Sequence, residues 1–89
     1  RNFPNPFDNS TMIAFTVPPS LRNEKVEIAV YNSAGTKIKS LMNEYLPANN
    51  YNVRWYGNDD NGNYAPTGVY IYKINIGGHT ETGKMNLVR

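Results

Sequence analysis

Apolar side chains at every second position are the feature that most limits what this chain can fold into. A period of two sends alternate residues to opposite faces of a strand, whereas a helix repeats near 3.6. The run Thr11–Val17 (TMIAFTV) sets Ile13, Phe15 and Val17 on one face, and two prolines follow it. Residues 25–32 (KVEIAVYN) set Val26, Ile28 and Val30 against Lys25, Glu27 and Ala29. Residues 51–57 (YNVRWYG) turn Tyr51, Val53 and Trp55 inward, and residues 69–76 (VYIYKINI) align Tyr70, Tyr72, Ile74 and Ile76. One stretch is ambiguous. In residues 37–46 (KIKSLMNEYL), Ile38, Leu41, Met42 and Tyr45 fit a helical stripe about as well as a bulged strand, and the strand-rich surroundings favour the strand.

Fourteen Asn, seven Gly and six Pro interrupt these runs too often for helices of ordinary length. SAGT (33–36) reads as a turn, NDDNGNYAPTG (58–68) as a long polar loop, and GGH (77–79) as a tight reversal into the last run, residues 80–89. Turn signals every eight to twelve residues between about seven short strands predict an all-β fold. Its expected form is an immunoglobulin-like antiparallel β-sandwich of about seven strands, without the usual cysteine pair. Residues 1–89 read as a single domain, with residues 1–10 as an extended leading segment. Pro4 and Pro6 bias Phe3 and Asn5 toward extended geometry, so that Phe7 can plug one end of the sandwich. Phe15, Val30, Val53, Trp55, Tyr70, Tyr72 and Leu87 are expected to meet between the sheets, while Gly35, Gly62 and Gly68 serve turns or close approaches.

The totals exclude several function classes. With no cysteine there is neither a disulfide nor a thiolate metal site. The formal charge of +2 is spread over scattered Lys and Arg, with no run that would track phosphates, which argues against nucleic acid. No apolar stretch approaches the roughly 18 residues of a membrane span. The opening RNFPNPF lacks the charged-then-apolar pattern of a signal peptide and reads as the start of a piece of a longer protein. Catalysis is not expected. The only histidine, His79, falls in a predicted turn, and the one pair of adjacent carboxylates, Asp59 and Asp60, would diverge from each other.

Two binding readings remain. Asp59, Asp60 and Asn61 offer hard oxygen ligands around a glycine turn, as calcium requires. No acidic residue stands at the twelfth loop position, however, and such side chains also fix turns by bonding their own backbone, so no cofactor is expected. The aromatics Tyr51, Trp55, Tyr56, Tyr64, Tyr70 and Tyr72 could form a sugar-stacking platform. Apolar neighbours on the same faces point instead to core for Trp55, Tyr70 and Tyr72, and leave Tyr56 as the better exposed candidate. Asn9–Thr11 (NST) matches a glycosylation acceptor triplet.

NFPNPF (2–7), VYNSAGTKI (30–38), WYGNDDNGNYAPTGVYIYKI (55–74) and TETGKMNLVR (80–89) stand in that order. Together they resemble the C-terminal sorting domain of the type IX secretion system, type A, and the related immunoglobulin-like domain of flagellar hook capping proteins. The resemblance implies a non-enzymatic signal attached to an N-terminal cargo domain, often an enzyme or adhesin. It implies export through the periplasm and outer membrane to the cell surface or medium. The implied partners are the secretion machinery and the sorting peptidase of the outer membrane. Pro6, Phe7, Gly35, Trp55, Gly68 and Tyr70 fall among the matched scaffold positions. The long 58–68 loop looks more like the hook-capping relatives, and Gly83 stands where sorting domains often carry a basic residue. By strand alternation, Met85 and Leu87 face the core while Lys84, Asn86 and Val88 face outward. These three with Arg89 are the expected recognition residues, on a terminal strand whose edge a receptor could extend. The alternatives are an accessory module binding carbohydrate or protein, and a structural piece of a hook cap.

Overall fold

A computed structural model describes all residues, 1–89. The alternating runs become strands: β1 (Asn2–Phe3), β2 (Thr11–Val17), β3 (Lys25–Asn32), β4 (Lys37–Tyr45), β5 (Asn49–Trp55), β6 (Gly68–Ile76) and β7 (His79–Leu87). The only helical piece is a 3₁₀ turn at Pro19–Leu21. The strands form two antiparallel sheets, one ordered β1-β2-β5 and the other β4-β3-β6-β7. The ambiguous stretch is a strand, and its pairing with β3 slips between Ile28 and Ala29 and again between Val30 and Tyr31. Those bulges explain the mixed period, since an extra residue shifts which side chain faces inward.

Between the sheets lie Ile13, Phe15, Val17, Val26, Ile28, Val30, Trp55, Tyr70, Tyr72, Ile74, Ile76, Met85 and Leu87, all buried. Trp55 is the central anchor, edge-on to Phe7 at 5.6 Å and to Tyr70 at 5.1 Å between ring centroids. Its Nε1 donates to the Asn58 carbonyl at 2.9 Å, which satisfies the one polar atom it takes inside. Val53 departs from the expected core: it is only partly buried, packed against the core margin beside Tyr51. Both lie on β5, the outer strand of the smaller sheet, where one flank stays open to water.

The leading segment is more than an extended tail. Asn2 and Phe3 pair with Ile13 and Met12 of the smaller sheet, and Phe7 then bridges Leu87 of the larger one in parallel. The segment thus crosses from sheet to sheet and closes one side of the sandwich. Phe7 fills that end as expected and is 4% exposed. Two further expectations change. His79 is the first residue of β7, and the reversal is carried by Gly77 and Gly78. Gly68 has no left-handed backbone and opens β6, and a Cβ there would meet only ordinary contacts at 3.9 Å. Gly35, with φ +84, does sit where a side chain is strained.

Candidate functional site

The terminal strand was the expected recognition element, and its core face behaves as alternation requires. Met85 and Leu87 are 0% and 1% exposed, while Lys84, Asn86 and Val88 face solvent. Its outer edge is a different matter. The leading segment occupies it from Lys84 to Val88: Asn5 Nδ2 donates to the Lys84 carbonyl at 3.2 Å, and the Asn86 amide donates to Asn5 Oδ1 at 2.8 Å. The Phe7 amide then donates to the Asn86 carbonyl at 3.0 Å, and the Val88 amide donates to the Phe7 carbonyl at 2.8 Å. Proline has no N–H, so Pro4 and Pro6 cannot donate to β7, and the Asn5 side-chain amide takes the place of a peptide unit between them. A receptor therefore cannot extend β7 at Lys84–Val88 while this segment is docked. By alternation, the unpaired backbone groups of this edge belong to Thr80 and Thr82.

Arg89 is exposed but tied down. Its Nε donates to the Ala65 carbonyl at 2.8 Å, Nη2 to Gly57 at 2.6 Å and Nη1 to Asp8 at 3.3 Å. The Arg89 amide donates to Thr67 Oγ1 at 3.0 Å, and the guanidinium lies 4.9 Å from the centre of the Tyr64 ring. The guanidinium spreads its N–H donors over three nitrogens and so reaches three separated carbonyls, whereas the three donors of an ammonium radiate from one atom. Arg89 thus ties the 57–67 loop to the leading segment. Gly57 makes room for it: φ is +66, and a Cβ there would lie 2.5 Å from Arg89 Nη2. Sequence reasoning missed both Gly57 and Asn5.

The candidate calcium residues are brought to separate tasks. Asp59 Oδ1 accepts from the Asn61 and Asn63 amides, each at 2.9 Å, and so shapes its own turn. Asp60 Oδ1 accepts from the Ser40 amide at 3.1 Å and lies 3.9 Å from Lys39 Nζ, while the Asp60 amide donates to the Ile38 carbonyl. Asp60 therefore pins the loop to the edge of β4. No group of three or more His, Cys, Asp or Glu comes together in the chain.

The aromatic platform does not assemble. Trp55 is fully buried, Tyr70 and Tyr72 are core, Tyr56 is 61% exposed by itself, and Tyr64 lies under Arg89. Tyr70 and Tyr51 instead close loops, each hydroxyl donating at 2.6 Å to a proline carbonyl four residues back, Pro66 and Pro47. Such a corner at the start of a late strand is an immunoglobulin-fold device. The repeated Pro-x-x-x-Tyr spacing was the available signal. Burial pushes the Tyr70 hydroxyl above its ordinary value, against the pull of Arg89. Burial, then the nearby Glu81, pushes Tyr72 up as well. The Tyr72 ring covers Gly83, its partner across the β6–β7 pair, so closely that a Cβ would collide with it. That explains why a glycine holds this position. In the glycosylation triplet, Thr11 is fully buried, and its hydroxyl donates to the Pro4 carbonyl at 2.8 Å and accepts from Asn2 Nδ2.

A four-on-three antiparallel sandwich, its leading segment shared between the sheets and a tyrosine corner at β6, defines an immunoglobulin-like domain. The family model of the FlgD Ig-like domain matches residues 3–79, and the chain belongs to that family. No curated protein and no solved structure matches it.

Proposed function

We propose that this domain is a non-catalytic C-terminal sorting signal, one that needs no cofactor. In this reading it directs an exported cargo, carried N-terminal to it in the same chain, through the type IX secretion system. The route runs through the periplasm and outer membrane to the cell surface or medium, with the secretion machinery and its sorting peptidase as partners. The observation that carries the reading is the two-sided character of β7. Met85 and Leu87 hold the strand in the core, while Lys84, Asn86 and Val88 display side chains outward on a backbone bonded along both edges. Their identities are free of the fold, which suits residues selected by a reader. The motif order from NFPNPF to TETGKMNLVR supports the same reading.

The family match favours a second reading, a structural domain of a flagellar hook cap. One experiment separates the two. The domain is fused to a reporter in a host with the secretion system, with Lys84→Glu, Asn86→Ala and Val88→Asp combined. Export to the medium should fall sharply and the reporter should collect in the periplasm. The purified variant should melt within about 0.5 kcal/mol per site of the parent, as surface changes usually do. Undiminished export would remove the sorting reading and leave the hook-cap one in front.

A further inference from the structure

The outward face of the larger sheet carries a feature that neither the core nor the terminal strand explains. Pairing registers place Lys37, Tyr31, Ile71 and Lys84 side by side in one row across β4, β3, β6 and β7. The next row reads Ser40, Ala29, Lys73 and Thr82. Tyr31, Ile71 and Ala29 are half-buried, Val69 on the same face is 39% exposed, and Lys37, Lys73 and Lys84 are exposed. An apolar strip is thus ringed by three ammonium groups.

None of the three has an acidic partner. The chain's two ion pairs join the terminal ammonium to Glu81 and Lys39 to Asp60. The nearest carboxylate position on this face, Glu27, lies one row further on, opposite Asn43 and Asn75. Clefts lie on both sides of Tyr31, and Tyr31 and Lys73 line both of them; Lys37 lines the first as well, with Glu27 at its far end as its single carboxylate.

We propose that this face docks an extended acidic peptide segment of a partner protein, with an apolar side chain on the Tyr31–Ile71 strip and carboxylates on the lysines. Strands lie about 4.8 Å apart, so the Lys37 and Lys84 backbones are separated by roughly 14 Å. An extended peptide advances about 3.3 Å per residue, so carboxylates four positions apart span that distance around a central apolar residue. Complementary charge of this kind steers encounter and fixes register. Nucleic acid fits less well. The face has no arginine, and its two aromatics, half-buried Tyr31 and exposed Tyr45 opposite Lys25, stand three rows apart, whereas strand-binding sheets stack successive bases on neighbouring exposed rings.

The test uses the purified chain, so it stands apart from any export assay. The probe is an end-blocked, fluorescein-labelled peptide with glutamates four residues apart around a central phenylalanine, followed by fluorescence anisotropy. Lys37→Glu with Lys73→Glu should weaken binding about tenfold or more, and raised salt should weaken binding to the parent. Arg22→Glu with Arg54→Glu changes net charge equally away from this face and should leave affinity within about twofold. Tyr31→Ser should weaken binding several-fold without removing its salt dependence. Melting curves confirm that each variant is folded. Equal binding by the Lys37/Lys73 variant, or equal loss in the Arg22/Arg54 control, overturns the proposal. So does tighter binding of a single-stranded oligonucleotide, or of phosphatidylglycerol vesicles, than of the peptide.

Discussion

The two halves of β7 pair with the same neighbour, β6, yet live in different surroundings. Along its core-facing side the strand reads His79, Glu81, Gly83, Met85 and Leu87. The first two are exposed, Gly83 is intermediate, and the last two are buried. Alternation is intact throughout, so burial is decided by what lies opposite. Leu87 faces the end of the sandwich that Phe7 and Trp55 fill. Glu81 lies toward the short β1, two residues long, where the smaller sheet gives little cover and the closest charge is the Arg1 ammonium at 4.0 Å. The edges differ in the same way. Asn5 and Phe7 bond the half from Lys84 to Val88, while Thr80 and Thr82 keep an open edge, guarded by polar side chains. The comparison teaches that this domain concentrates its order at one end of a strand and leaves the other end available.

The largest effect that tests this is truncation of a side chain on each half. Leu87→Ala should destabilise by about 2–5 kcal/mol through the cavity it leaves. At roughly 4–8 °C per kcal/mol for a domain of this size, melting should drop by about 10 °C or more. Glu81→Ala, at the same parity on the open half, should stay within about 0.5 kcal/mol. Similar losses at both sites would show that the open half is packed after all. The same reasoning warns against deleting Asn86–Arg89 to test recognition, because that removes a core anchor and the loop clamp together.

A smaller effect sharpens the picture at the ordered end. Arg89→Lys keeps the charge but gathers its donors on one nitrogen that cannot reach all three carbonyls, so it should cost about 1 kcal/mol, the net worth of a hydrogen bond at a part-exposed site. Amide exchange in residues 57–67 should quicken while β3 amides stay protected. Uniform quickening would mean that the clamp does not act locally.

Most strands were legible because period two survives in β2, β3, β5, β6 and β7, and in β4 the bulges break it, which accounts for the one ambiguous stretch. Trp55 and Tyr70 were legible as core because their face neighbours are apolar. Val53 was misjudged because alternation gives a face but does not say whether that face is covered at a sheet margin. The outward parity of Lys84, Asn86 and Val88 could be read directly. The docking of the leading segment could not, since it depends on a side-chain amide 79 residues away in sequence from its Lys84 partner. The clamp made by Arg89 was hidden for a related reason: the residue is exposed, and the carbonyls it bonds come from Asp8, Gly57 and Ala65, which no local pattern links.

The smallest predicted effect comes from two tyrosines that face the two halves of β7. Tyr70 pairs with Met85 and Tyr72 with Gly83, and burial raises both hydroxyls above the usual 10.0. The fold therefore favours the neutral phenols over what the unfolded chain would allow. That stabilisation is fully present below about pH 10 and is lost as pH climbs through the raised values. The neighbouring charges act with opposite sign: Arg89 lowers Tyr70, whereas Glu81 raises Tyr72. Glu81→Gln should bring Tyr72 closer to its unfolded value and make the alkaline fall in melting temperature shallower. Arg89→Gln should free Tyr70 to rise further and make that fall steeper. Each change should be worth less than about 0.5 kcal/mol, because water screens charges this exposed. Melting curves of parent and variants between pH 8 and about 11 would read it, with the background from lysine titration common to all three. Slopes that move in the same direction would mean that the two tyrosines feel one shared field and that the halves of β7 are not electrostatically distinct.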